Sequence, residues 1–440
     1  MVSGYNTCPL ADISESGRIA YCSLRACIRK VEWLSMEDRV PSGRGECKPV
    51  ETPPAAFEAG SPRIHSWEEV TSLISYLTFT KEMKGILSYS FLDRYGNTLA
   101  AKEEELPLMP ASNMKIVTGF TAYKLLGRNF EFKTDFKKEN GTVKVTGDPT
   151  PLLSGPDLKK IIQDLSIREK EINRVLFQSN AIDPYTCAPS WKIGDRKFAY
   201  QAKITPFSLN EGCVMERADS DLSHLVNPHD DGSKPLTDPV KNFSKAFIRN
   251  SSGLNGSSQS KYGAIQAEHR EKLIDVIKHM ETVSCNFTAE ILLKYIGHKT
   301  TGRKGSWKNG PVAVMDFLKD LGLDTSELVI VDGSGLSRMN LLNTQFLSNF
   351  IHKIKQSDES DFLNLLPSPG IGTLTGRLEE LSSRGVHAKT GSIGYCSSLS
   401  GYIEKPGISF SIIVNNSTEG EERLPQLIDD LLVKMVKTYS

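Results

Sequence analysis

A chain of 440 residues is too long for one ordinary hydrophobic core, so two or three folding units are expected. Hydrophobic residues make up 39% and charged residues 24%, ordinary globular proportions, and no run of about 18 apolar residues predicts a transmembrane helix. Lys+Arg and Asp+Glu both number 53, and a net charge of zero argues against a general nucleic-acid binder.

Residues 1–62 carry four of the eight cysteines (Cys8, Cys22, Cys27 and Cys47) among Gly, Ser, Pro and charges, with no amphipathic period. They lack the basic start and the apolar stretch of about 7–15 residues that make an export signal. The cysteines are not paired tightly enough, and no histidine lies close enough, for a zinc knuckle. This segment is therefore expected to be a disordered or non-native extension. Cys187, Cys213, Cys285 and Cys396 have no disulfide-like spacing, which leaves the compartment open.

Folded patterning begins near Ser66. Trp67–Leu77 predicts an amphipathic helix, Gly85–Leu92 a strand, Arg94–Asn97 a turn, and Asn113–Leu126 a helix stopped by Gly127. Residues 130–264 read as short strands alternating with turns, ending in the Ser/Gly-rich stretch 251–258. Helices are expected over Ala267–Glu281, Ala289–Ile296 and Gly310–Leu321. Val386–Thr390, Tyr395–Ile403 and Ile408–Val414 read as three successive strands. The final helix, Leu424–Val436, places Leu427, Ile428, Leu431, Leu432 and Met435 on one face. A meander covered by a terminal helix is an α+β layer arrangement.

Three fragments carry the chemistry. In Ser112-Asn113-Met114-Lys115, residues three apart on a helix share a face, so hydroxyl and amine can meet. Ser112 falls near the helix start, where free N–H groups favour negative charge. Lys115 has an apolar flank of Ile116, Val117 and Phe120, and desolvation helps a lysine lose its proton. The spacing alone is weak, since Ser258 and Lys261 repeat it in a Ser/Gly-rich stretch. Ser284-Cys285-Asn286, between two expected helices, and Lys389-Thr390-Gly391-Ser392, ending a strand, complete a Ser-x-x-Lys, Ser-x-Asn, Lys-Thr-Gly set.

With these motifs, residues from about 80 to 440 resemble the class C low-molecular-mass penicillin-binding proteins, the D-alanyl-D-alanine carboxypeptidase/endopeptidase family (peptidase family S13). Pro110-Ala111-Ser112, Gly147-Asp148-Pro149, Pro189-Ser190-Trp191, Asn210-Glu211-Gly212, Ala289-Glu290 and the run Asp332 to Arg338 are similar to fragments of that family. Cys285 departs from it, standing where an acidic or amide residue is usual; its side chain is expected to point away from the cleft. The resemblance implies an α+β penicillin-binding/serine β-lactamase-like transpeptidase fold, an antiparallel sheet with helices, spanning 63–129 and 265–440. A β-rich accessory domain, 130–264, would be inserted between the first two motifs.

It also implies a mechanism without metal or organic cofactor. Lys115 would take the Ser112 proton, and the N–H groups of Ser112 and Ser392 would hold the oxyanion. Ser284, linked to Lys115, would pass a proton to the leaving amine, and Asn286 would orient Lys115 and the substrate amide. Lys389, with Thr390 and Ser392, would bind the substrate carboxylate and keep Lys115 neutral, while Gly391 would leave the strand edge open to substrate. The implied partners are peptidoglycan stem peptides or related D-amino-acid peptides, with β-lactams as covalent inhibitors. An extracytoplasmic or periplasmic setting is implied, although no signal peptide is visible. Two alternatives stay open: a peptidase, esterase or β-lactamase using the same Ser–Lys chemistry elsewhere, and a non-catalytic binding module. Asp332 and Ser334 read as turn formers bracing the cleft, Arg338 as a substrate contact or a carboxylate partner, and Trp191 and Trp307 as core or rim. His387 shares the face of Lys389, but the Ser–Lys pair leaves it no base to supply.

Overall fold

In the computed structural model, which describes residues 85–167, 171–215, 233–250, 265–419 and 423–439, strands from both ends of the described chain build one sheet. These residues all belong to the unit Ile64–Ser440. The expected 1–62 extension, the helix Trp67–Leu77, the stretch 251–258 and the second Ser-x-x-Lys match lie outside the described residues.

Strands β1 (Ile86–Leu92) and β2 (Thr98–Lys102) precede helix α1 (Met114–Leu126). The middle holds β3 (Glu131–Glu139), β4 (Thr142–Gly147), α2 (Gly155–Asp164), β5 (Arg174–Gln178), β6 (Cys213–Met215), β7 (Ser233–Pro235), α3 (Pro239–Asn250) and β8 (Ile265–Lys272). Helices α4 (Leu273–Val283), α5 (Asn286–Thr301), α6 (Asn309–Asp320) and α7 (Thr344–Gln356) follow. The last elements are β9 (Val386–Ile393), β10 (Cys396–Ile403), β11 (Ile408–Asn415) and α8 (Arg423–Thr438).

The main sheet is antiparallel, in the order β2-β1-β11-β10-β9. Its period-two patterning sorts side chains to two faces. Leu87, Tyr89, Phe91, Phe410, Ile412 and Val414 form one face, packed with Leu424, Ile428, Leu431 and Leu432 of α8. The opposite face is buried too, but it is lined by serines. Ser88 and Ser90 share hydrogen bonds of 2.7 Å with Thr344 and Ser348 of α7, and Ser400 pairs with Ser411 at 2.8 Å. Hydroxyls bonded across the interface let a polar face be buried at little cost. The terminal helix thus covers only one side of the meander, and α7 together with the turn that holds Ser112 packs on the other.

The second sheet, β5-β4-β3-β8, is antiparallel except for the β4–β5 pair. Two expectations fail here. Ala267–Lys272 is strand rather than helix, pairing residue by residue with β3 from Glu131↔Lys272 to Lys138↔Ile265. Its Ala, Glu, Arg and Lys favour a helix, yet ladder bonds and cross-strand charge pairs such as Arg270–Glu131 at 3.0 Å override that weak preference. The sheet therefore extends past residue 264 to Lys272. The region also contains α2 and α3 where only strands and turns were expected. Helix α2 has a capping box in which Ser154 and Asp157 exchange hydrogen bonds, and it turns Leu158, Ile161 and Ile162 onto the sheet.

Candidate active site

Ser112 lies in a single 3-10 turn, Ala111–Asn113, that runs directly into α1. Ala111 has a left-handed backbone, φ 47°, which sets the turn. Asn113 anchors it to the sheet by donating from Nδ2 to Ser400 Oγ at 2.7 Å. One helical turn on, Lys115 is completely buried. Its Nζ donates to Ser112 Oγ at 2.9 Å, Asn286 Oδ1 at 2.7 Å and the Ser334 carbonyl at 2.8 Å. Burial lowers its pKa to about 8, against the pull of Cys285 and of the carboxylates Glu281, Asp332 and Glu290.

The Ser284–Asn286 segment is the junction of α4 and α5. Ser284 caps α4 in a left-handed conformation (φ 59°, ψ 38°), and Cys285 is the N-cap of α5. This reversal aims Asn286 at Lys115 while its Nδ2 donates to the Tyr200 carbonyl at 2.8 Å. The half-buried Ser284 makes no hydrogen bond to Lys115, contrary to expectation, because other acceptors take all three Nζ protons. The Cys285 side chain is buried, and its Sγ accepts from Thr288 N at 3.3 Å.

Register places Lys389 and Gly391. They pair with Ser400 and Ser398 and share their serine-lined face, which turns them toward α1. A Cβ on Gly391 would lie 2.9 Å from Ser112 N and 2.2 Å from Ser398 Oγ. Only glycine lets strand and nucleophile turn touch, so Gly391 serves the protein's own packing as well as any substrate. Lys389 is fully buried and donates to the Thr390 carbonyl at 3.0 Å. Burial first, and repulsion from Lys115 second, lower its pKa to about 7. Burial, rather than Lys389, is thus the leading cause of the Lys115 shift. Thr390 Oγ1 donates to Thr373 Oγ1 at 2.8 Å, and Ser392 is exposed.

The loop from Asp332 to Asn340 holds the remaining Lys115 acceptor in place. Asp332 is buried and accepts from Gly335 N, Ser337 N, Trp191 Nε1 and Asn340 Nδ2 at 2.6–2.9 Å. Glu290, also buried, accepts from Ser334 N at 2.8 Å and Trp307 Nε1 at 2.7 Å. Gly335, at φ 82°, brings the loop so close that a Cβ would sit 1.8 Å from the Ala111 carbonyl. Arg338 has no ion pair among the described residues, and its Nε is buried without a hydrogen-bond partner. His387 faces Ser368 Oγ at 3.4 Å, and Trp191 and Trp307 meet edge to face at 6.0 Å.

Several participants escaped sequence reasoning. The Ser334 and Tyr200 carbonyls are backbone groups with no compositional signal. Glu281 did leave one. With Leu273, Val276, Ile277 and Met280 it completes the apolar stripe of α4, and a carboxylate on such a stripe is unusual. It is fully buried, and neither oxygen has a hydrogen bond among the described residues. Burial raises its pKa to about 7, opposed by Lys389 and Lys115.

The family model described as D-Ala-D-Ala carboxypeptidase 3 (S13) matches residues 93–238 and 241–436, most of the chain. The chain belongs to that family. As an S13 member it is a serine-type hydrolase of the D-Ala-D-Ala carboxypeptidase class. Among its relatives, a D-alanyl-D-alanine carboxypeptidase from an Actinomadura species is 25% identical over 435 residues, covering 78% of this chain and 80% of the relative. The crystal structure of penicillin-binding protein 4 from Haemophilus influenzae shares the fold with a TM-score of 0.67 and 18% identity, over 82% of this chain and 99% of that one. A second structure of that protein, complexed with a novel β-lactam, aligns with a TM-score of 0.59 and 18% identity, over 82% and 98% of the two chains. The penicillin-binding/β-lactamase-like α+β architecture expected from the motifs is the one observed.

Proposed function

We propose that this S13 hydrolase cleaves the terminal bond of D-alanyl-D-alanine peptides of the peptidoglycan stem through an acyl-enzyme on Ser112. The observation that carries the residue roles is how Lys115 spends its hydrogen bonds. Asn286 Oδ1 and the Ser334 carbonyl can only accept. A neutral Lys115 gives its two N–H groups to them, and its lone pair is left facing the Ser112 hydroxyl, 2.9 Å away. Among the described residues, the Ser112 hydroxyl is then the proton source within hydrogen-bond distance of that lone pair, as a general base requires.

Ser112 Oγ attacks the carbonyl as its proton passes to Lys115 Nζ. The developing oxyanion is received by the N–H groups of Ser112 and Ser392. Lys115 Nζ, which has no hydrogen bond to Ser284, then returns the proton to the departing amine, and water later attacks the ester with Lys115 again as base. Lys389 supplies a positive charge from within the protein, while Thr390 and Ser392 present hydroxyls to the substrate's terminal carboxylate. A β-lactam would acylate Ser112 by the same first step.

The decisive experiment measures D-alanine release from a D-Ala-D-Ala peptide, alongside covalent labelling by a fluorescent penicillin. Wild type should do both, and Ser112→Ala neither. Labelling that survives Ser112→Ala removes Ser112 from the mechanism. Labelling by wild type without D-alanine release transfers the chain to the same chemistry on another substrate.

A further inference from the structure

Next to the Ser284–Asn286 segment lies a second group of reactive side chains that acyl transfer does not use. Glu211, His279 and Cys285 each offer one ligand atom, and these atoms lie within 4.8 Å of one another. Glu211 comes from the single turn Asn210–Gly212, His279 from α4, and Cys285 from the N-cap of α5. Glu211 and Cys285 are buried, at 5% and 1% exposure, whereas His279 is half-exposed. His279 Nε2 is hydrogen-bonded to Glu211 Oε1, and the Cys285 thiol bonds to the same carboxylate. Protons therefore hold the three ligand atoms together.

Two observations indicate that something other than a proton belongs there. The first is the environment of the sulfur. Thr288 donates both its backbone N–H, at 3.3 Å, and its hydroxyl, at 3.2 Å, to Cys285 Sγ, which also caps the N-terminus of a 16-residue helix. Two donors and a helix dipole are surroundings that suit a thiolate. The second is the backbone. Asn210 and Glu211 are both left-handed, at φ 47° and 56°, a strained arrangement that delivers the carboxylate to this point.

We propose that Glu211, His279 and Cys285 bind one zinc-type divalent cation, with the fourth tetrahedral position open to water on the His279 side. A thiolate, an imidazole and a carboxylate suit zinc better than magnesium or calcium. Binding displaces the thiol proton to solvent as the metal–sulfur bond forms. The proton shared by His279 Nε2 and Glu211 also leaves to solvent, so that Nε2 can bind the metal with Nδ1 carrying the ring proton, and thiolate plus carboxylate neutralise the 2+ charge in the buried site. The hydrogen-bonded His279–Glu211 pair must open by about 1 Å to admit the ion, a movement available to a half-exposed histidine. The metal would tie the Asn210–Gly212 turn to the junction presenting Ser284 and Asn286. Metal binding itself does not depend on the acyl-transfer reading.

The test titrates cobalt(II) into the metal-stripped full chain and reads the thiolate-to-cobalt charge-transfer absorption. One equivalent should produce the band, and zinc should displace it. Zinc should also raise the melting temperature. Cys285→Ser should lose both the band and the zinc-dependent rise, and His279→Gln, at a half-exposed position, should weaken cobalt binding at least tenfold with an unchanged circular-dichroism spectrum. The other seven cysteines remain in both variants, so any band they produce persists there. No band in wild type, an undiminished band in Cys285→Ser, or unchanged affinity in His279→Gln overturns the proposal.

Discussion

Replacing Asn286 by aspartate changes one charge beside Lys115 with almost no change of shape. The wild-type amide oxygen accepts from Lys115 Nζ at 2.7 Å, and the lysine titrates at about 8. At pH 7.5, about a quarter of it is then neutral and able to act as base. A carboxylate at that distance favours the ammonium form and raises the pKa by roughly 1–3 units, back toward the ordinary 10.5. The neutral fraction at pH 7.5 falls by roughly ten- to several-hundredfold, and acylation should fall with it. The assay is the rate of penicillin acylation between pH 6 and 10. Wild type should rise with pH to a plateau with its midpoint near 8, and Asn286→Asp should shift that midpoint to alkaline pH and recover there. Asn286→Ala, which removes an acceptor without adding charge, should shift it to lower pH. Opposite shifts separate a charge effect from the lost Tyr200 hydrogen bond, which both variants suffer. A midpoint common to all three proteins would refute Lys115 as the base.

Other perturbations test the supporting parts. Glu281 raises the pKa of Lys389, so Glu281→Gln should lower it below about 7. KM for a carboxylate-terminated peptide should then rise at pH 7.5 and recover at pH 6, where Lys389 regains its proton; a pH-independent change would indicate packing instead. Gly391→Ala forces a methyl group against Ser112 N and Ser398 Oγ. It should cost at least about tenfold in acylation with an unchanged circular-dichroism spectrum, since small displacements of a nucleophile are expensive. Asp332→Ala strands four buried donors, each worth about 1–3 kcal/mol, and should lower the urea-unfolding free energy by at least about 3 kcal/mol. A loss under 1 kcal/mol would mean that the loop does not depend on this carboxylate.

Much of the site was legible because its signals are local. Ser112 and Lys115 sit one helical turn apart, a spacing that guarantees a shared face wherever the helix packs. The meander β9–β11 and helix α8 were visible as changes in hydrophobic period, for the same reason. The Ser154–Asp157 capping box was equally local and would have located α2. The misread segment Ala267–Lys272 is different, since its residues favour a helix and only the distant β3 makes it a strand.

The sequence by itself determined which groups are available: two lysines, the serine and amide hydrogen-bonding groups, and the glycine at position 391. Tertiary structure decided what those groups can do. Burial of Lys115 and Lys389, the aim of the Ser334 carbonyl, the isolation of Glu281, and the meeting of Glu211, His279 and Cys285 all arise where elements distant in the chain pack together. Proton affinity depends on the dielectric and charges surrounding a group, and those are set by packing rather than by the order of residues.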